Sequence, residues 1–195
     1  MGFQLDPQKR LDDEVRRIST ERVDLALSEI AEQRPRKAAH EARKACKELR
    51  AVLRLVRPEL GERYKPENIR FRDIARRMAP MRDAASLVEA VEALENSSGR
   101  SFDAIKQALC ERRDEIEDKH ACDLAQVRCE LENAKSAIEN WPLPAHGFPQ
   151  GIERSYRRGR RKLEKSERAA SAHRLHQWRK RVKYHRYHCA LLELT

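Results

Sequence analysis

His40-Glu-Ala-Arg43-Lys44-Ala-Cys-Lys47-Glu-Leu-Arg50 stands in the first quarter of the chain, and His176-Gln-Trp-Arg179-Lys180-Arg-Val-Lys183-Tyr-His-Arg186 stands at its end. Both read H-x-x-R-K-x-x-K-x-x-R, every matched residue displaced by 136 positions. Five fixed positions recurring in register mark an internal duplication. The spacing also names the element. At about 100° per residue, with His40 at zero, Arg43 falls near −60°, Lys44 near +40°, Lys47 near −20°, Arg50 near −80° and Arg54 near −40°. The cations and the histidine share an arc of roughly 120°, while Ala42, Ala45, Leu49, Val52, Leu53 and Val56 take the opposite side. One face is core and the other is a cationic rail about 20 Å long.

The rest of the chain reads as helix too. Charged residues make up 38% of the 195 and aromatics only 5%, with 6 Gly and 8 Pro to serve turns, too few for a many-stranded sheet. Apolar residues at 11, 15, 18, 25 and 30 predict a first helix over 11–33, and Pro35 marks the turn. The rail helix occupies 37–56 and is closed by Pro58. A loop at 61–66 leads to a third helix over 67–78, stopped by Pro80, and a fourth carries Leu87, Val88, Val91 and Leu94 up to the break Asn96-Ser97-Ser98-Gly99. Ser101 can cap a long fifth helix whose apolar steps from Phe102 to Ile138 resemble a coiled-coil seam. Trp141-Pro142-Leu143-Pro144 ends it. Two last helices follow, over 152–170 and 172–194.

Net charge is +10 and is segregated: residues 36–57 carry +6 and residues 140–195 carry +10, separated by 56 residues (84–139) at −6. A chain kept soluble by charge alone intersperses its signs; segregation points to a surface built for a polyanion. Adjacent cations at helical spacing repel one another, and Glu41 and Glu48 lie off the stripe. His40 and His176, each at the N-terminal end of a stripe, can donate hydrogen bonds to phosphate oxygens. There is no apolar run long enough to span a membrane and no signal-like segment after Met1, so a cytoplasmic address is expected. Five scattered cysteines without a CxxC fit small apolar residues in a reducing compartment.

The repeated H-x-x-R-K-x-x-K-x-x-R, the Met81-Arg82-Asp83-Ala84-Ala85 after the first copy and the Tyr156-Arg157-Arg158-Gly159-Arg160 before the second closely resemble the CHAD family, the conserved histidine α-helical domain, over about residues 10–195. The resemblance implies an all-α fold of two pseudo-twofold-related helical bundles that binds inorganic polyphosphate in a basic groove or pore, in a family associated with polyphosphate granules. Carried over position by position, the binding set is His40, Arg43, Lys44, Lys47, Arg50, His176, Arg179, Lys180, Lys183 and Arg186. Arg54 extends the first stripe, and Arg77, Arg82, Arg157 and Arg160 are further candidates in the flanking motifs. Asp83 reads as an acid that orients arginine. The single domain divides into a first half (10–99), a linking helix and loop (100–150) and a second half (151–195). The 136 offset places partners for the third and fourth helices past position 195, so the second half reads as incomplete.

Nucleic acid is the competing partner, since it carries the same phosphate charge. Only ten Phe, Trp and Tyr occur, none of them in the first stripe to stack on bases, and no zinc-finger or glycine-rich RNA-binding motif is present. An enzymatic role is not expected: phosphoryl transfer uses Mg²⁺ held by carboxylates, and the stripes have none. No catalytic residue, cofactor or metal is assigned; His120, Cys122 and Cys129 face different sides of a helix. The final helix has apolar residues in two directions, Trp178, Val182, Cys189 and Leu192 on one side and Tyr184, Tyr187 and Leu191 on another. Self-association as a symmetric dimer is the expectation.

Overall fold

The computed structural model describes residues 2–32, 34–145 and 147–193, and among them every regular element is a helix and none a strand. In chain order these are α1 (Leu11–Ala31), α2 (Pro35–Leu55), the short α3 (Arg57–Leu60) with a 3₁₀ turn at Gly61–Arg63, α4 (Tyr64–Arg77), α5 (Ala79–Ser98), α6 (Asp103–Lys119), α7 (Ala121–Glu139), α8 (Pro149–Arg168) and α9 (Ala172–Leu192). The expected helix ends at Gln33 and Leu194 lie outside the described residues.

The duplication is written into the helix bounds. Displaced by 136, α1 and α2 become 147–167 and 171–191, against 149–168 for α8 and 172–192 for α9. The two copies are packed very differently. α2 starts on Pro35, whose fixed φ suits the first helical position, and it is the central element, touching α1, α4, α5, α7, α8 and α9. Its Ala38, Ala42, Leu49, Val52, Leu53 and Leu55 are fully buried among Val15, Ile18 and Val23 of α1, Phe71 and Ile74 of α4, and Val127, Leu131 and Ile138 of α7. Each large aliphatic buried here contributes about 1.5–3 kcal/mol. α9 buries only His188 and Leu191. The α8–α9 hairpin therefore lies against α2 and α3 without a core of its own, and Tyr156 (51%), Leu175 (46%) and Val182 (48%) remain exposed.

Two features seat that hairpin. Gly151 is buried where α8 meets the end of α2, and a Cβ there would lie 1.9 Å from the Leu55 carbonyl oxygen. At the other end Leu5 N–H donates to the Leu191 carbonyl (2.9 Å), and Phe3 packs edge-on to Tyr187.

Several sequence expectations are corrected. The single long helix of residues 101–138 is two helices interrupted at His120, where the His120 carbonyl accepts the Asp123 amide and its Nδ1 lies 2.6 Å from Asp123 Oδ2. The Asp123 amide reaches only three residues back, a 3₁₀-type bond that breaks the α-helical ladder at this point. The continuous seam is lost with it: α7 buries Val127, Leu131, Ala134 and Ile138, whereas α6 buries nothing and packs chiefly on α5. Ser101 is not the N-cap, which is Phe102, although Ser101 Oγ accepts the Asp103 amide at 3.3 Å. The loop at 61–66 shrinks to a 3₁₀ turn, because α4 starts at Tyr64 with Pro66 in its first turn, where an N–H has no helical acceptor. The break at 96–99 stands, with Gly99 in the left-handed region (φ 64°). Of the cysteines only Cys46 is buried, its thiol pushed up to about 12 by that burial; Cys122, Cys129 and Cys189 are exposed.

Candidate anion-binding groove

Part of the rail on α2 faces part of the rail on α9. Arg43, Lys47 and Arg50 from α2 and Lys180 and Lys183 from α9 line one groove of about 450 Å³, closed on its third side by Arg72 and Arg76 of α4. Among the described residues the wall contains no carboxylate. Like charges brought together in this way raise the energy of the unliganded site, and the consequence is visible at Lys47. Its ammonium is held below the usual lysine range first by burial and next by Lys183 across the groove.

Each groove cation is held differently. Arg43 is anchored: Nη1 donates to the Ala75 carbonyl (2.8 Å) and Nη2 lies 3.8 Å from Asp83 Oδ1, the arginine-orienting role read for that acid. Arg50 Nε donates to Asn68 Oδ1 at 3.1 Å. Arg54, the extension of the stripe, does not line the groove: its Nη1 donates to the Arg50 carbonyl, and its guanidinium stacks 3.8 Å over the Tyr184 ring. Lys180 and Lys183 are exposed, with no ion-pair partner among the described residues.

Other candidates lie elsewhere. His40 lines a separate cavity of about 410 Å³ with Arg36, Lys37, Arg82 and Arg113, and two carboxylates, Glu89 and Glu92, share it. Lys44 turns to Glu41 (3.5 Å), so that acid, expected off the stripe, does relieve one of its cations. Arg82 is held by both oxygens of Glu89 (3.1 and 3.0 Å). Arg77 is tied to α7 through Asp123 and Glu130, each at 3.4 Å. Arg157 pairs with Glu153 (2.6 Å) and Arg160 lies 3.8 Å from Glu164, both on the outer face of α8. His176, Arg179 and Arg186 are exposed on α9 and do not line the groove.

Sequence reasoning missed Arg72 and Arg76. The signal was present as Arg72 and Arg76 one helical turn apart, but Asp73 diluted the local charge; it lies 2.8 Å from Arg72 and 3.8 Å from Arg76. It also missed Tyr184 and Tyr187 in the groove wall. Both rings are engaged, Tyr184 beneath Arg54 and Tyr187 against Phe3.

The profile of the CHAD domain matches residues 11–194, nearly the whole chain, and the chain belongs to that family. No curated protein and no solved structure matches it. Among the described residues no helix is long and apolar enough to cross a membrane, and no group of three or more His, Cys, Asp and Glu is placed to hold a metal.

Proposed function

We propose that the chain binds inorganic polyphosphate and does so without turning it over, the polyanion lying in the groove between α2, α4 and α9. One observation carries the reading: among the described residues, seven cations from three helices line this groove and no carboxylate does. A linear phosphate chain neutralises such a row and needs nothing else from the wall. Membership of the CHAD family, for which polyphosphate is the implied ligand, supports the same reading. Nucleic acid would profit from free aromatic faces, and the groove tyrosines are already packed. The polar contacts of the groove cations are with neutral groups or with the edge acids Asp73 and Asp83, so they orient the side chains and leave net positive charge facing the groove.

The test is a titration with long-chain polyphosphate, a short oligophosphate and single-stranded RNA at matched phosphate concentration and two salt levels. Polyphosphate should bind most tightly, more so as the chain lengthens. Its log K should fall with log salt by roughly 0.7–0.9 per phosphate neutralised. A salt slope near zero, or RNA binding as tightly as polyphosphate, overturns the reading.

A further inference from the structure

Beyond the groove, the structure holds a second concentration of positive charge. Arg54 and Arg57 at the end of α2 and the start of α3, Arg154 and Arg158 on α8, and Arg181 on α9 line one cavity, with Ser155 between the two α8 arginines. Among the described residues none of Arg57, Arg154, Arg158 and Arg181 has a carboxylate in ion-pair range. Arg154 is held below the usual arginine range chiefly by Arg57, and Arg54 by its burial. The cluster is fixed by rings and by backbone: Arg57 stacks 4.4 Å over Tyr64, Arg54 over Tyr184, and Gly151 lets α8 close against the Leu55 carbonyl.

Size separates this cavity from the groove. Its volume is about 10 Å³, against about 450 Å³ for the groove. That is room for roughly one water-sized atom, so one phosphate oxygen fits and a chain cannot thread through. Its position is also particular. Tyr184 lines the groove, Arg54 lines the small cavity, and the two are stacked at 3.8 Å, so the sites share a wall at one end of the α2 rail. The duplication does not supply a second such cavity: the counterparts of Arg54 and Arg57, 136 positions on, are Ala190 and Glu193.

We propose that this arginine cluster is a stop for phosphate termini: it takes the terminal phosphate of a chain lying in the groove, one oxygen entering the cavity and the others meeting the surrounding guanidinium forks. The inference rests on the groove reading above and adds to it a preference for chain ends. A terminal phosphate carries more charge and more free oxygens than an internal one, and arginine forks match that geometry.

Linear tripolyphosphate and cyclic trimetaphosphate test it, since both contain three phosphates and only the first has termini. Their affinities are measured by calorimetry for the wild type and for Arg154→Ala/Arg158→Ala, exposed positions where circular dichroism should show unchanged helix content. Orthophosphate serves as the probe for a free anion. The wild type should prefer the linear form, and the double variant should lose roughly tenfold or more of that preference, while long-chain polyphosphate, held mainly by the groove, loses much less. An equal linear-to-cyclic ratio in the two proteins overturns the end-stop, as does orthophosphate binding as tightly as tripolyphosphate, which would make the cluster a site for the free anion. Failure of the groove reading looks different: long polyphosphate would not bind the wild type, whatever the tripolyphosphate ratio.

Discussion

His188 should make the protein acid-labile in a defined window. Its side chain is 1% exposed, Nε2 lies 3.1 Å from the Ala51 carbonyl and Nδ1 has no partner among the described residues. A carbonyl only accepts, so Nε2 carries the proton and the ring is neutral. A second proton on Nδ1 would be buried without an acceptor, and burial, with His185 and Arg54 nearby, lowers the pKa from 6.5 to about 4. The folded value lies below the unfolded one, so this group costs nothing above about pH 6.5. Between about 6.5 and 4 only the unfolded chain takes the proton, and stability falls by ~1.36 kcal/mol per pH unit; below about 4 both states are protonated and the loss stops growing. The full loss is about 3 kcal/mol, a large share of the roughly 5–15 kcal/mol that holds a domain together. Urea unfolding of the wild type and of His188→Leu at pH 7, 5 and 4, followed by circular dichroism, measures it. Glu14, held down at about 2 by Arg17, and the buried Glu48 and Glu67, both raised by burial, also titrate with pH. They titrate alike in the two proteins and cancel in the difference. The stability gap should shift by about 3 kcal/mol in favour of the variant from pH 7 to pH 4. Parallel pH profiles would refute the argument.

Three further outcomes are expected. Lys47→Glu plus Lys183→Glu, both lining the groove, should weaken polyphosphate binding at least tenfold more than Arg112→Glu plus Arg128→Glu in the acidic block, with helix content unchanged in both; equal losses would mean that net charge alone attracts the ligand. Gly151→Ala should lower stability by about 1–3 kcal/mol although alanine favours helix, because the added Cβ meets backbone at 1.9 Å; thermal unfolding gives the sign. The exposed Tyr156, Leu175 and Val182 of the α8–α9 hairpin should drive self-association at raised concentration; sedimentation that shows a monomer at every concentration rules this out.

The helical class and most helix ends were legible because apolar spacing and proline placement report on local backbone: α2, α8 and α9 came out within a few residues, as did the C-terminal end of α5. The break at His120 was not legible: the apolar steps on either side keep helical phase, and the interruption is a local three-residue backbone bond from Asp123 to His120 with no Gly or Pro to mark it. For the site, the stripe showed which residues share a helix face but not which face another helix. Lys44 and Lys47 are equivalent on a helical wheel; in the fold one turns to Glu41 and the other faces Lys183. Arg157 and Arg160 stood out in the Tyr-Arg-Arg-Gly-Arg run, yet Arg154 and Arg158, one helical turn apart, are the α8 arginines that line the cavity with Arg54, Arg57 and Arg181. Composition cannot choose between neighbours on a wheel; packing does.

The two copies differ in a way that bears on what the stripes are for. Between α2 and α9 the matched positions are His40 and His176, Arg43 and Arg179, Lys44 and Lys180, Lys47 and Lys183, and Arg50 and Arg186, all on the polar face. Across the opposite face four positions have changed character, Ala45 being matched by Arg181, Leu49 by His185, Val52 by His188 and Leu53 by Cys189, while Cys46, Leu55 and Val56 keep apolar counterparts in Val182, Leu191 and Leu192. α2 packs those positions into the core and α9 leaves most of its own outside it. If the shared pattern reflected only how a helix packs, the apolar face would match and the solvated face would drift, since surface substitutions are usually within about 0.5 kcal/mol of neutral. At those four positions the reverse has happened, while all five stripe positions match. Keeping rows of like charge through that divergence costs stability in both helices, and the proposed polyanion, bound where Arg43, Lys47 and Arg50 meet Lys180 and Lys183, would offset part of that cost.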